Sequence, residues 1–169
     1  SISCRNNNLT ELDLSNNTAL TQLWCYSNQL TSLDVSANTA LTTLNCQANQ
    51  LTSLDVSANT ALTSLSLSAN NLTSLNVSAN SALTTLYCEN NQLTSLDVSN
   101  NTALTTLFCY YNQFTSLNMR NGVTDQLTTF NATNNPDLTC IETLDPTYAT
   151  ENWTSIDEGV TFSVSCGTE

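Results

Sequence analysis

Apolar residues recur along this chain in two interleaved rhythms. Over short segments they alternate with polar residues, Leu44 and Cys46 against Asn45 and Gln47, and such alternation marks a strand with one buried and one wet face. Over longer spans the pattern returns every 21 residues: Leu41 to Ala61 reads LTTLNCQANQLTSLDVSANTA, and Leu20 to Ala40 reads LTQLWCYSNQLTSLDVSANTA. The frame restarts at Leu62, Leu83 and Leu104, enters truncated at Ile2 and reaches a degenerate coil at Leu127, about seven coils in all. Each coil splits into halves of 10 and 11 residues that share the template LxxLx(C/V)xxN. One coil cannot enclose its own leucines, so coils must stack about 4.8 Å apart, each burying the next. The predicted fold is mainly β, a parallel β-solenoid whose near-equal halves imply weak curvature. A flatter β-helix with a true second sheet along the LDVS half is the alternative.

In-register stacking turns each template position into a ladder. Asparagine stands at 7, 28, 49, 70, 91, 112 and 135, where the strand ends and the chain turns. A buried turn amide without a partner costs about 1–3 kcal/mol, so these side chains are expected to staple the backbone rather than bind ligand. Asn17, Asn38, Asn59, Asn80 and Asn101 form a second ladder with the same expected job, and Gly122 takes that position in the next coil, where Arg120 to Gln126 puts seven residues in place of five. Cys4, Cys25, Cys46, Cys88 and Cys109 share one position with Leu67 and Ala132. Leucine cannot ligate a metal, so these thiols read as inert core, and no metal or other cofactor is called for. Neighbouring side chains on parallel strands also meet in poor geometry for a disulfide.

Charge narrows the function. The 169 residues suit a single domain, but Lys+Arg is 2, Asp+Glu 14 and His 0, a net charge of −12. Charged residues make up 9% of the chain against about 25% in an average domain. With Arg5 and Arg120 as the only basic side chains, nucleic acid and anionic membranes are excluded as partners. No apolar run reaches the roughly 20 residues of a membrane span, and Ser1 to Arg5 lacks the apolar core of a signal peptide, so membrane insertion is not expected and the chain reads as soluble or a mature fragment. Without histidine, and with 3 glycines and no GxSxG, HExxH or phosphate loop, the chain does not read as an enzyme.

The run Leu20-Thr21-Gln22-Leu23-Trp24-Cys25-Tyr26-Ser27-Asn28-Gln29-Leu30 resembles the LxxLxCxxNxL signature of leucine-rich repeat proteins. The 21-residue form with LDVSxNTA in its second half is similar to a nested-period class of secreted bacterial leucine-rich repeat proteins. The resemblance covers residues 2–138 and divides the chain into a solenoid, 1–138, and a C-terminal cap, 139–169; the stretch from Cys140 to Cys166 is similar to the cap of bacterial surface proteins. The resemblance implies protein–protein interaction or adhesion and a secreted or cell-surface location. Cys140 and Cys166 lie outside the ladder, and joining them would close a loop of about 25 residues for roughly 3–4 kcal/mol, in keeping with an oxidising compartment. Trp153, Ile156, Phe162 and Val164 are expected to plug the last coil. At the other end the chain begins mid-coil: either it is a piece of a longer array, or that edge pairs end to end with another chain in place of the expected monomer.

The outward positions of the two halves differ. The second half repeats Ser32-Asp34-Ser36, Ser53-Asp55-Ser57, Ser74-Asn76-Ser78 and Ser95-Asp97-Ser99, a solvated wall. Its carboxylates, Asp13 included, face outward from a flat strand rather than from the converging loops that gather six to eight oxygens around calcium, and they lack the asymmetry of a glycosidase pair. The first half varies: Ser3/Arg5, Trp24/Tyr26, Asn45/Gln47, Ser66/Ser68, Tyr87/Glu89 and Phe108/Tyr110, with Tyr111 one residue on. Six of eleven aromatics stand there, where no core requires them. Trp24 with Tyr26 is three coils, about 14 Å, from the group Tyr87, Phe108, Tyr110 and Tyr111, across a polar saddle of Asn45, Gln47, Ser66 and Ser68. Together with Glu89 these residues form the expected ligand-binding face of a non-catalytic recognition module for a protein partner. A glycan ligand on the same face is one alternative, and a structural spacer whose rings only stabilise the sheet is another.

Overall fold

Alternation and stacking produce one strand in the first half of every coil. The computed structural model describes residues 1–167. In it β1 (Ile2–Ser3), β2 (Gln22–Trp24), β3 (Thr43–Asn45), β4 (Ser64–Ser66), β5 (Thr85–Tyr87), β7 (Thr106–Phe108) and β9 (Thr129–Asn131) form one parallel seven-stranded sheet. Leu23, Leu44, Leu65, Leu86, Leu107 and Phe130 face one another in register along it, and all are buried. The fold is the predicted parallel β-solenoid, and among the described residues no helix precedes Thr124.

The LDVS side departs from the expectation that both halves are strands. It becomes a sheet only from Ser95, where β6 (Ser95–Asp97), β8 (Ser116–Asn118), β10 (Cys140–Glu142) and β11 (Thr161–Ser163) pair in parallel. In the earlier coils no backbone hydrogen bond joins residues 33–35 to 54–56, and a gap of 340 Å³ opens between Ser53 and Asp55 on one coil and Ser74 and Asn76 on the next. Leu75, next to this gap, is only partly buried, whereas Leu96, Leu117 and Ile141 are fully so. The second sheet closes where Arg120 clamps it: its guanidinium pairs with Glu142 at 3.0 Å and donates to the Val164 carbonyl at 3.3 Å and the Asn118 Oδ1 at 3.2 Å. Cys140 and Cys166 are joined by a disulfide, with their Cα atoms 5.9 Å apart.

Asparagine side chains tie coil to coil. Asn70 donates to the Leu67 carbonyl of its own turn at 3.0 Å and to Cys46 of the preceding coil at 3.1 Å, while its Oδ1 accepts the Leu51 N–H at 3.0 Å. Asn28, Asn49, Asn91, Asn112 and Asn135 repeat this pattern. The second ladder does half as much. Asn80 donates to Val56 and Asn59 carbonyls at 3.1 and 2.9 Å, but the Oδ1 atoms of Asn38, Asn59, Asn80 and Asn101 are buried and no protein donor reaches them. At the interrupted coil Asn121, not Gly122, enters this ladder, donating to the Asn101 carbonyl at 3.3 Å. Counting positions misplaced it because the longer loop turns early, with the Asn121 N–H bonded to Met119 and Gly122 at φ 77°.

The cap supplies what a further coil would. In the repeats, turn amides such as those of Asn90 and Asn91 donate to carbonyls of the following coil. At the last coil the Asp157 carboxylate accepts both, from Asn134 at 2.8 Å and Asn135 at 2.6 Å. Asp145 caps the helix α1 (Pro146–Asn152), accepting from the Tyr148 N–H, and the helix delivers Trp153 onto Phe130, ring centroids 4.9 Å apart, with Phe162 behind it at 5.8 Å. Val164 is not part of the plug; it is 55% exposed, because the chain there lies along the sheet edge held by Arg120.

Cys25, Cys46, Cys88 and Cys109 are buried free thiols and Cys4 is partly exposed. Burial pushes Cys25 up to about 12, with the Cys4 thiol beside it adding to the effect, and burial holds Cys46 and Cys88 well above the ordinary thiol range. Burial raises the Cys4 thiol too, but Cys4 alone of the five is partly exposed, so at pH 8 a thiol reagent is expected to modify Cys4 in the folded protein and the other four only on unfolding, as counted by mass spectrometry. Chemical denaturation should separate the two ladders. Asn70→Ala strands a donor and two acceptors and is expected to cost roughly 3 kcal/mol or more, whereas Asn80→Ala, losing donor bonds only, should cost about half as much.

Candidate functional site

The seven-stranded sheet presents its outward side chains in columns. Register places Ser3, Trp24, Asn45, Ser66, Tyr87, Phe108 and Asn131 in one file. The residues two further along each coil, Arg5, Tyr26, Gln47, Ser68, Glu89, Tyr110 and Thr133, form the next. A third file on the same face was not singled out from the sequence: Gln22, Thr43, Ser64, Thr85 and Thr106, half-buried at the strand starts. The alternation that exposes position five of the template also exposes position three, but its monotonous Thr and Ser gave no signal of variation.

The aromatic group is continuous. Tyr87 and Phe108 lie 5.3 Å apart between ring centroids, Phe108 and Tyr110 6.0 Å, and Tyr110 and Tyr111 5.7 Å. All but Tyr111 are half-buried by one another, and Tyr111 is 54% exposed. Trp24 stands apart from this group, and Tyr26 is engaged by Arg5, whose guanidinium sits 5.7 Å from the ring centroid and donates to the phenol oxygen at 3.0 Å. Asn45 is half-buried, its Oδ1 accepting the Gln47 N–H at 3.1 Å, and Gln47 is exposed. Ser66 and Ser68, expected as an open polar saddle, are 7% and 2% exposed. Small side chains between Asn45 and Tyr87 in one file, and between Gln47 and Glu89 in the next, are screened by their larger neighbours, so the middle of the face is covered rather than an open polar saddle.

Tyr111 also bears a backbone cost. The residue before each asparagine of the first ladder adopts a left-handed conformation: Asn6, Ser27, Ala48, Ala69, Asn90, Tyr111 and Asn134, with φ between 52° and 60°. This position favours glycine or asparagine, and a bulky residue there is an outlier. The Tyr110 phenol is raised above its usual range by burial first, then by the Glu89 charge and by Tyr111.

The opposite wall has a structural occupation. The Oδ1 atoms of Asp13, Asp34, Asp55 and Asp97 accept the Ser15, Ser36, Ser57 and Ser99 N–H groups at 2.8–2.9 Å, and Asn76 and Asn118 make the same turn. Serine hydroxyl and backbone N–H bonds hold the Asp13, Asp34 and Asp55 carboxyls below the ordinary range. Among the described residues no group of three or more His, Cys, Asp or Glu converges on a point that would hold a metal, and no helix is long and apolar enough to cross a membrane.

No family model matches this sequence, and no curated protein matches it. Solved structures do. The functional domain of InlJ from Listeria monocytogenes, which includes a cysteine ladder, is 38% identical across 84% of this chain and 38% of its own, with a TM-score of 0.63. A leucine-rich repeat protein of Leptospira interrogans gives 20% identity over 89% of this chain and 45% of its own, TM-score 0.66. YopM, a leucine-rich effector protein of Yersinia pestis, gives 20% over 95% and 53%, TM-score 0.58. The latter two show the fold alone. The chain spans from 38% to 53% of the length of these structures, and its solenoid is a leucine-rich repeat fold.

Replacing Tyr111 with glycine relieves the left-handed backbone and removes an exposed ring. The variant is expected to gain roughly 0.5–1 kcal/mol in urea unfolding; a loss instead would show that the ring supports the sheet.

Proposed function

We propose that the chain is a non-catalytic recognition module that binds a protein partner across the variable face of its seven-stranded sheet, through Trp24, Tyr26, Tyr87, Phe108, Tyr110 and Tyr111. The observation that carries this reading is the touching group of four rings on an outward face, one of them at a backbone position that disfavours a bulky side chain. Core packing does not require them, and Tyr, Trp and Phe dominate the contact energy of protein interfaces. Likeness to the InlJ domain, which extends to stacked cysteines, supports a bacterial interaction module used in adhesion. The disulfide in the cap supports an oxidising compartment, hence a secreted or cell-surface protein.

A neutral polar face with rings also suits a sugar. One experiment separates the readings: the labelled domain is applied to protein and glycan arrays beside a folded Trp24→Ala, Tyr110→Ala double variant. The expected result is protein hits that weaken at least about tenfold in the variant. Hits confined to glycans, and lost in the variant, would make the module a lectin. Binding unaffected by the substitutions, or none at all, would favour a spacer.

A further inference from the structure

The last strand of the long sheet has one edge that no further coil covers. In β9 the Thr129 N–H and the Asn131 carbonyl turn toward β7, bonding to Thr105 and Cys109, so the Phe130 N–H and the Thr128 and Phe130 carbonyls turn away from it. One coil earlier the matching Thr105 carbonyl accepts the Thr128 and Thr129 N–H groups at 3.0 and 3.2 Å and the Thr128 hydroxyl at 3.3 Å. Among the described residues no hydrogen bond reaches the three outward groups of β9, and the cap takes over only at Ala132, whose N–H donates to the Ser155 carbonyl at 2.9 Å. A cleft of 330 Å³ runs along this stretch, between residues 127–130 on the strand side and Tyr148, Asn152 and residues 153–155 on the cap side. Thr128, Thr129 and Thr154 in its lining are exposed, so it opens to solvent.

Acceptor, donor and acceptor follow one another along two residues of this edge, about 7 Å of strand. An extended peptide meets that pattern with its own N–H and C=O groups when it adds to a sheet. A 21-residue coil of a second copy is too bulky for 330 Å³, and neither of the two basic side chains lines the cleft, so it has no charge to hold an anion. Trp153 already fills the core beside Phe130, with ring centroids 4.9 Å apart, so a side chain pointing inward from an added segment must be small. We propose that the cleft takes a short extended segment of a protein partner, two or three residues with a small central side chain, as an eighth strand beside β9. The site is separate from the aromatic group on the outward face, so it stands whether or not those rings bind a partner.

The test is an amide NMR titration of the whole chain with a blocked Thr-Ala-Thr peptide and with the same peptide methylated at every backbone nitrogen, repeated on Thr154→Trp of unchanged melting temperature. The plain peptide is expected to shift the amides of Thr128, Thr129, Phe130 and Ser155 and to slow hydrogen exchange at Phe130. Methylation, which removes the donors, and the larger side chain of Thr154→Trp, which fills the cleft, should each weaken the response at least about fivefold. Equal responses to both peptides would show that backbone pairing is not the contact and overturn the inference. An undiminished response in Thr154→Trp, or shifts centred on Tyr87, Phe108 and Tyr110, would place the peptide elsewhere and overturn it too. So would a Phe130 amide that keeps its position and its exchange rate throughout the titration.

Discussion

The structure depends on satisfying the backbone of a turn that lies inside the molecule. Each coil must reverse direction at the end of its strand, and each reversal leaves carbonyls and an N–H pointing into a stack that excludes water. The asparagines from Asn28 to Asn135 meet that demand across two coils at once, donating within their own turn and to the coil before while accepting from it. This linkage fixes where the end of each strand stands relative to the coil before: in the one longer coil the two extra residues lie in the loop from Arg120 to Gln126, and Asn135 still reaches the Cys109 carbonyl and the Phe114 N–H. It also imposes the left-handed residue immediately before, which the chain fills with serine, alanine and tyrosine as well as asparagine.

The two sides of the solenoid are held differently. On one side strand hydrogen bonds run through every coil, and their spacing is set by the peptide group. On the other, the first coils are linked chiefly by asparagine donors and packed leucines and valines, and Leu75 beside the gap stays partly wet. Closure comes late, where Arg120, Glu142 and the Cys140–Cys166 bridge draw the second sheet together. In a chain with so few cations, using one of them there makes the junction between repeats and cap a specific ionic contact rather than generic stacking.

Against this regular frame the outward face of the long sheet is where side chains are free to differ. Strand register fixes where each is displayed, so replacing Asn45 or Tyr87 leaves the buried core untouched and changes the outward surface alone. The rings from Tyr87 to Tyr111 shelter one another, and the small residues Ser66 and Ser68 are covered by what stands beside them.

Period, strand alternation, the ladder positions and the candidate face were legible in the sequence, because a stacked coil repeats its environment and so repeats its residues. Where the repeat fails, counting fails too. Asn121 takes a place that position-counting gave to Gly122, Val164 leaves the plug, and the LDVS half is a sheet in only part of the chain. The rings were visible as a deviation from the repeat, but their continuity and the covering of Ser66 and Ser68 were not. These depend on the distance between coils and the size of neighbouring side chains. The sequence alone thus determined the one-dimensional order, which is a matter of local pattern. Which buried polar atoms found partners is a property of the folded stack, because it depends on groups brought together from different coils.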